Sequence, residues 1–265
     1  MMSDFNVRGY WEKRLQDSFN LRGVGYKRMG VSYNKWMYNV RRQIFNKSIG
    51  RLNMKWSQND VLDIGSGTGY YIDLWKELGV ANISGCDITE VAVSELNGKY
   101  RDSSFYIQDI SDCLTDELAQ NKYHSISAFD VLFHIVDDER FKKALENIYT
   151  LLLPGGYFIL SDNFIHAETK RGTHHVNRSV YEFEFVLSEV GFKVMSRIPS
   201  FYLMNEPVDT DSDFLKRFWN FQLRIVSRGD WLGNILGLIL YPLELLILNF
   251  VKEGPSTELM ICRKK

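Results

Sequence analysis

Apolar residues in the middle of the chain alternate between short strand-like runs and longer stretches with a helical repeat. Strands are predicted near residues 60–64, 82–87, 104–109, 126–132, 156–161, 192–198 and 257–263. Helices are predicted near residues 69–79, 89–99, 111–120, 138–152 and 179–190. The turn Pro154-Gly155-Gly156 is expected to begin the fifth strand, and Gly191 to close the last of these helices. Regular alternation of strand and helix predicts an α/β fold with a parallel sheet.

Two segments lie outside this alternation. Residues 1–55 are rich in aromatic and basic side chains and predict two or three helices packed at the edge of the sheet. A second segment separates the sixth strand from the seventh, where a tight hairpin would suffice. We therefore predict an N-terminal helical cap (1–55), an α/β core (56–202 with 256–265) and an apolar helical insertion (203–255).

Composition limits the classes of partner and compartment. The chain has 265 residues, 45% hydrophobic content and a formal net charge of −1, so we expect no nucleic-acid partner. Its three cysteines, Cys86, Cys113 and Cys262, are widely spaced and show no metal-ligand pattern. The first residues lack the basic start and apolar stretch of a secretory signal. These features predict reduced thiols and a cytoplasmic location.

Three glycines follow the first predicted strand, in the run VLDIGSGTG at 61–69. Glycine adopts positive φ and allows a ligand to approach the main chain closely. A dinucleotide-binding turn has the spacing Gly-x-Gly-x-x-Gly. Here the spacing is Gly-x-Gly-x-Gly, from Gly65 to Gly69. The turn predicts a nucleoside-bearing cofactor and disfavours NAD.

Acidic residues end the next two predicted strands. Asp87 ends the second strand, where its carboxylate is able to accept two hydrogen bonds from a ribose diol. Asp109 ends the third, where it is able to accept from the exocyclic amine of adenine. Together these positions match the polar groups of an adenosyl ligand that has no phosphates.

This set of motifs resembles the class I S-adenosylmethionine-dependent methyltransferases. The matching pieces are VLDIGSGTG at 61–69, Asp87, QDI at 108–110, FDVLFHI at 129–135, LLLPGGYFILSD at 151–162 and STELMICRKK at 256–265. The resemblance implies a Rossmann-like, doubly wound, seven-stranded sheet with the last strand antiparallel. It also implies S-adenosyl-L-methionine as the cofactor.

The resemblance and the motifs together give a set of predicted cofactor-binding residues. They are Asp63, Gly65, Ser66, Gly67, Gly69, Asp87, Ile88, Asp109 and Ile110. The glycines are expected to line the methionine and ribose side, with Asp63 supporting the loop or the methionyl amine. Ile88 is expected to lie against the adenine, with Ile110 nearby.

Histidines near the same sheet edge are the candidate proton acceptors. His134 follows the fourth strand, and His174 and His175 lie in the loop after the fifth. Histidine is the side chain whose unperturbed pKa lies near neutrality, which suits a general base. A role for His134 in building the cofactor pocket remains an alternative.

Acidic and histidine side chains also cluster after the fifth strand. The cluster consists of Asp162, His166, Glu168, His174 and His175. Its spacing matches no metal motif, and we predict no metal site. Arg178, just before a helix, is expected to anchor this loop or to pair with a carboxylate.

The two added segments are predicted to shape the acceptor site. Tyr26, Tyr33, Asn34 and Trp36 are the candidate pocket residues of the N-terminal cap. In the insertion, WLGNILGLILYPLELLILNFV at 231–251 is long enough to span a membrane, but Asn234, Pro242, Glu244 and Asn249 interrupt it. One interpretation is two helices, broken near Pro242, that cover the acceptor pocket or form a homodimer interface. The other is peripheral contact of 213–251 with the inner membrane face.

The predicted function is methyl transfer from S-adenosylmethionine to a hydroxyl or amine of a small-molecule, glycan or lipid-linked acceptor. A catalytically silent methyltransferase-fold scaffold and an NAD-dependent oxidoreductase are the alternatives. Binding of S-adenosylhomocysteine without NAD would favour the methyltransferase over the oxidoreductase, and a lack of binding would favour the scaffold.

Overall fold

A computed structural model describes residues 6–265, and its centre is a seven-stranded sheet. The strands of this sheet are β1 (Asp60–Ile64), β2 (Asn82–Asp87), β3 (Ser104–Ile107), β4 (Tyr123–Phe129), β5 (Leu152–Asp162), β8 (Phe192–Pro199) and β9 (Glu258–Lys264). Their order is β3-β2-β1-β4-β5-β9-β8. Only β9 runs antiparallel to its two neighbours, which confirms the predicted topology. A separate two-stranded ribbon consists of β6 (Lys170–Arg171) and β7 (Val176–Asn177).

Helices cover both faces of the sheet and form the two added segments. They are α1 (Val7–Asp17), α2 (Leu21–Val24), α3 (Gly30–Ile49), α4 (Tyr70–Glu77), α5 (Glu90–Lys99), α6 (Asp116–Ala119), α7 (Asp138–Leu151), α8 (Val180–Val190), α9 (Asp213–Val226) and α10 (Asp230–Ile247). Side chains alternate along β1, so that Val61 belongs to one buried cluster and Leu62 to another. The sheet therefore has an apolar core on each face.

The segment 111–120 differs from its prediction, because only Asp116–Ala119 is helical. Gln108 explains the difference. Its side-chain amide donates to the carbonyls of Asp109 (2.6 Å) and Cys113 (3.1 Å), and its oxygen accepts from the N–H of Thr115 (2.9 Å). Side-chain bonds of this kind satisfy backbone groups that a helix would otherwise pair.

The insertion forms two helices, but the predicted break near Pro242 is wrong. The break falls at residues 227–229, and Pro242 lies inside α10. Pro242 is exposed, so water is able to hydrogen-bond the carbonyl that a proline leaves unpaired. Asp230 fixes the start of α10 by accepting from the N–H groups of Val31 (2.7 Å) and Ser32 (3.1 Å).

The four candidate pocket residues of the N-terminal cap contact other parts of the chain instead of the main cavity. Tyr33 hydrogen-bonds Gln222 of α9, and Trp36 donates to Asn234 of α10 (2.9 Å). Tyr26 donates to Glu206 (3.0 Å), while Asn34 bonds the backbone of Tyr26. Because α3 packs along α10, these polar groups join the cap to the insertion.

A buried carboxyl joins the insertion to the core. Glu244 is fully buried and accepts from the backbone N–H groups of Tyr202 (2.5 Å), Leu203 (2.8 Å) and Met204 (3.2 Å). Burial raises the pKa of Glu244 from 4.5 to about 7. The unfolded chain therefore releases this proton at a lower pH than the folded chain does.

We expect Glu244→Gln to destabilise the fold by about 1–2 kcal/mol, because its amide nitrogen would face a backbone donor. The contribution of Glu244 to the free energy of unfolding falls as pH rises from 4.5 to about 7. The difference in free energy of unfolding between wild type and Glu244→Gln therefore shrinks over that range. Urea unfolding at several pH values measures both effects. Glu146→Gln is the control, since Glu146 is exposed on α7. A difference in free energy of unfolding that grows with pH would contradict the raised pKa of Glu244.

Candidate functional site

The carboxyl ends of four parallel strands meet at one edge of the sheet. Because the strands are ordered β3-β2-β1-β4, the residues at these ends follow the order Asp109, Asp87, Gly65 and Asp130. A cavity of about 790 Å³ lies along this edge and is lined by all four. Its volume lies within the usual range for small-molecule sites, about 300–1,000 Å³.

The glycine turn after β1 has the predicted backbone conformation. Gly65, Gly67 and Gly69 have φ of +68°, +51° and +81°, the left-handed region that favours glycine. Gly65, Ser66 and Gly67 line the cavity. Gly69 is not a lining residue; it caps the N-terminus of α4.

Gly65→Ala is expected to destabilise the chain by at least about 1 kcal/mol, the usual cost of a left-handed non-glycine residue. A Cβ on Gly65 would also overlap the side chain of Val131. Gly98→Ala is the matched control, because a Cβ there meets no atom within 4 Å and the residue lies in α5. Thermal unfolding compares the two. Equal effects would show that the turn tolerates a side chain.

Asp87 lies at the predicted position and supports the glycine turn. Its Oδ2 accepts from the N–H of Gly67 (3.0 Å), and its Oδ1 accepts from the N–H (2.9 Å) and hydroxyl (2.7 Å) of Thr89. A carboxylate has about four acceptor positions, so about one remains for a ligand hydroxyl. The sequence predicted two such bonds to a diol. Burial raises the pKa of Asp87, whereas these three donors favour its charged form.

Asp109 lines the same cavity and is held by neighbours that the sequence did not identify. Its Oδ1 accepts from the N–H (2.9 Å) and hydroxyl (2.6 Å) of Ser111. Arg140 forms an ion pair with its Oδ2 at 2.9 Å. Ile88 and Ile110, which the sequence predicts to lie near the adenine, also line the cavity.

Asp63 is not among the described residues that line the cavity. It is buried, and the hydroxyl of Ser127 donates to its Oδ1 at 2.6 Å. The hydroxyl of Ser66 donates to its backbone carbonyl at 2.9 Å. Burial raises the pKa of Asp63 to about 7. The hydrogen bond to the turn uses the backbone carbonyl of Asp63, and both predicted roles of its side chain stay predictions.

His134 lines the cavity next to the end of β4. Its Nδ1 lies 3.2 Å from the carbonyl oxygen of His174, and the ring of Trp11 packs edge-on at 5.1 Å. Since a carbonyl only accepts, Nδ1 carries the proton and Nε2 is left as an acceptor. Desolvation lowers the pKa of His134 to about 4, so the ring is neutral at physiological pH.

The other histidines predicted after the fifth strand do not line this cavity. His174 reaches the site through its carbonyl, and the rings of His174 and His175 pack edge-to-face at 4.9 Å. His166 is exposed and pairs with Asp209 at 2.6 Å. Within residues 6–265, no three or more His, Cys, Asp or Glu side chains come close enough to hold a metal ion.

The loop that carries these histidines is anchored by Arg178. This arginine is 2% exposed and donates to the carbonyl of Ile135 (2.9 Å) and to Asp138 (2.9 Å). Its guanidinium also stacks over Phe141 at 3.8 Å. Arg178 therefore has both of its predicted structural roles.

Helix α1 provides a wall of the cavity that sequence reasoning missed. Val7, Trp11 and Leu15 line it, at the spacing i, i+4, i+8 of a single helix face. That spacing is visible in the sequence and indicates one face of a helix, but it does not show that this face lines the cavity. Arg14 holds this helix in place through the carbonyl of Arg22 (3.2 Å) and a bond to Gly25.

An ion pair and an aromatic wall occupy the β4 end of the cavity. Arg41 of α3 contacts Asp130 at 2.5 Å, with side-chain exposures of 11% and 25%. Asp130 has φ of +58°, the only positive value among described non-glycine residues, and also accepts from Ser161 (2.9 Å). Tyr71 stacks on Phe129 at 3.8 Å, and both line the cavity. Strained backbone of this kind is common at functional sites.

Comparison with known proteins gives a consistent result for the core of the chain. The family model described as a methyltransferase domain matches residues 61–156. The ribosomal protein L11 methyltransferase of Staphylococcus aureus is 28% identical over 141 residues, covering 52% of this chain and 39% of that protein. The chain therefore spans about two fifths of the length of the curated relatives it matches.

Two solved structures share the fold over almost the whole chain. Magnesium protoporphyrin IX methyltransferase from Synechocystis PCC 6803, with bound SAM, has a TM-score of 0.59 at 14% identity and covers 100% of both chains. The N-methyltransferase NodS from Bradyrhizobium japonicum WM9, in complex with S-adenosyl-L-homocysteine, has a TM-score of 0.54 at 12% identity and covers 98% of both. At these identities the likeness shows the fold.

Proposed function

We propose that this chain, whose residues 61–156 match a methyltransferase-domain family model, transfers a methyl group from S-adenosylmethionine to a hydroxyl or amine of a small-molecule, glycan or lipid-linked acceptor. The supporting observation is one cavity shared by the glycine turn, Asp87, Asp109 and the side chains after β4. The glycine turn, Asp87 and Asp109 fit an adenosyl ligand. The part of the cavity lined by the side chains after β4 leaves room for an acceptor beside that ligand.

The residues that would hold S-adenosylmethionine follow from the order of the strands. Asp109 and Ile110 would contact the adenine, and Asp87 would hold the ribose. The turn at 65–67 would lie against the methionine part. The cofactor supplies an activated methyl group, so the protein has to align the acceptor, exclude water and manage one proton. Alignment alone contributes about 7–11 kcal/mol in favourable cases.

We propose that the acceptor binds at the β4 end of the cavity. Tyr38, Tyr71 and Phe129 provide aromatic walls there, while Asp130 and His134 provide polar atoms. This combination suits an acceptor with an apolar body and one hydrogen-bond donor. We assign His134 Nε2 as the atom that accepts this hydrogen bond and orients the nucleophile. His174 would fix the tautomer of His134, and His175 stays a candidate from the same loop.

Calorimetric titration of the purified chain with S-adenosylhomocysteine tests the cofactor assignment, with NAD as the control. Binding of S-adenosylhomocysteine alone supports the proposal. A transfer assay with methyl-labelled S-adenosylmethionine over phenols, amines, glycans and lipids then identifies the acceptor. Cofactor binding without transfer to any class would favour a silent scaffold. Failure to bind would remove the adenosyl assignment of Asp87 and Asp109.

The low pKa of His134 gives a specific expectation for its replacement. We expect His134→Gln to lower kcat about 3- to 10-fold, the value of one neutral hydrogen bond. Because the ring is already neutral, the profile of kcat against pH should keep its shape between about pH 5 and 9. His124→Gln is the control, since His124 lies at the opposite edge and bonds the N–H of Asp60. Loss of an inflection near pH 6.5 would instead show general-base catalysis by His134.

A further inference from the structure

We propose that the outer face of α10 binds the surface of a lipid bilayer that contains anionic headgroups. We call this surface the α10 apolar face. It consists of Trp231, Ile235, Leu238, Ile239, Pro242, Leu243, Leu246 and Phe250. Successive members are separated by one, three or four residues, which places those from Trp231 to Leu246 on one side of α10, and Phe250 lies in the turn that follows the helix. The proposal concerns a surface and stands apart from the proposed methyl transfer.

The α10 apolar face has no covering element within residues 6–265. Its large side chains are 45% to 79% exposed, with Phe250 the most exposed. The opposite side of α10 is packed on α3, where Gly233 lies against Tyr33 and Gly237 against Trp36. A monomeric protein seldom exposes so many neighbouring apolar side chains without a partner.

The charges near this face indicate an anionic partner. Residues 214–251 contain four basic side chains, Lys216, Arg217, Arg224 and Arg228, and all are exposed. The range also contains two acidic side chains. Asp230 accepts hydrogen bonds from backbone N–H groups at the start of α3, and Glu244 is buried. Asp213 lies just outside it, at the first turn of α9. Over α9, α10 and the turn between them, the four exposed basic side chains therefore outnumber the two exposed acidic ones, Asp213 and Asp230.

Helix α9 combines these basic groups with exposed aromatic rings. Phe214, Arg217, Phe221 and Arg224 recur at intervals of three and four residues and share one side of the helix, and Arg228 lies in the turn that follows it. Basic and aromatic residues beside an apolar helix face are the pattern of interfacial segments, which bind anionic lipids by charge and apolar burial together.

The contacts of α10 favour a position in the plane of the membrane surface over a span. Within residues 6–265, α10 is the one helix long and apolar enough to cross a bilayer. However, Trp36 donates to Asn234 (2.9 Å), and Lys47 donates to Asn249 just after the helix (2.8 Å). A spanning α10 would lose its packing on α3 and would separate β9 from its sheet.

Helix α3 lies between the α10 apolar face and the cavity and contacts both α10 and the cavity wall. It packs along α10, and it also supplies Tyr38 to the cavity wall and Arg41 to the ion pair with Asp130. A chain bound through the α10 apolar face would therefore hold its cavity one helix away from the lipid. This arrangement suits an acceptor that resides in the membrane.

Vesicle co-sedimentation of the full chain tests the proposal. The probes are phosphatidylcholine vesicles and vesicles that also contain phosphatidylglycerol. We expect binding to the anionic vesicles that weakens as salt increases. The combined variant Leu238→Gln, Ile239→Gln, Leu246→Gln should lower the apparent affinity at least about tenfold, since it removes apolar area. Arg217→Gln with Arg224→Gln should remove the preference for phosphatidylglycerol.

The matched control is Tyr181→Ser with Phe185→Ser, because these side chains are 81% and 53% exposed on α8, away from the proposed surface. Calorimetry with S-adenosylhomocysteine on every variant shows that the fold and the cofactor site are intact. It also separates a failure of this proposal from a failure of the proposed function. If the α10 variant does not fold, the arginine variant still tests the charge contribution.

Several results would overturn the proposal. One is a lack of wild-type binding to anionic vesicles, and another is a variant of the α10 apolar face that binds as tightly as wild type. Equal loss in the α8 control would mean that general surface hydrophobicity, not this face, causes binding. A dimer in solution that the α10 variant dissociates would show that a second copy of the chain covers the face.

Discussion

Replacement of Asp87 by Asn is expected to raise the dissociation constant for S-adenosylhomocysteine about 30- to 150-fold, which corresponds to about 2–3 kcal/mol for one charge-assisted hydrogen bond. The side chain keeps its size but loses its charge. Its amide nitrogen would either face the N–H of Gly67 or fail to accept from the ligand. Calorimetry measures the affinity directly.

Asp102→Asn is the control for this variant, because Asp102 is exposed and pairs with Lys76 before β3. It should leave the affinity unchanged. Since Asp87 also supports the glycine turn, the melting temperature of both variants has to be measured. A stable Asp87→Asn protein with wild-type affinity would show that the ribose does not lie at the end of β2.

The second large effect is expected at the ion pair between Arg41 and Asp130. Arg41→Met should lower the free energy of unfolding by about 2–4 kcal/mol, somewhat below the 3–5 kcal/mol typical of fully buried pairs. The variant leaves the Asp130 carboxylate with Ser161 as its remaining side-chain donor. Urea unfolding near pH 7 measures the change. Activity should fall as well, because Asp130 lines the acceptor end of the cavity.

A matched control lies one residue along α3. Arg42 pairs with Glu77 through two bonds of 2.8 Å, but both side chains are more than one third exposed. Arg42→Met should therefore cost no more than about 1 kcal/mol.

The double variant Arg41→Met, Asp130→Asn tests the coupling. Asparagine tolerates the positive φ of this position, and the double variant leaves no unpaired charge. It should therefore recover part of the stability that Arg41→Met loses. If Arg41→Met costs as little as Arg42→Met and the double variant recovers nothing, the pair contributes no measurable stability.

The sequence predicted best the features that depend only on residues close together in the chain. The positive φ of Gly65 and Gly67 follows from the absence of a side chain, and the strand ends at Asp87 and near Asp109 follow from apolar runs that stop. These are local properties, so a single sequence predicts them. The order of the strands came from the resemblance to a known family and agrees with the structure.

The errors arose where distant residues compete with local preference. A proline usually ends a helix, but α10 continues through Pro242, because the exposed side of the helix tolerates the missing hydrogen bond. Tyr33 and Trp36 pack on the insertion, since Gln222 and Asn234 satisfy their polar atoms. Neither partner is recognisable from the local pattern.

The sequence by itself determined the α/β class, the glycine turn and the acidic strand ends, because backbone freedom and hydrophobic periodicity act over a few residues. Tertiary structure alone decided that α1 walls the cavity, that Arg41 meets Asp130, and that the outer side of α10 stays exposed. These outcomes depend on how whole elements pack, and packing sums many weak contacts between residues that are far apart in the chain.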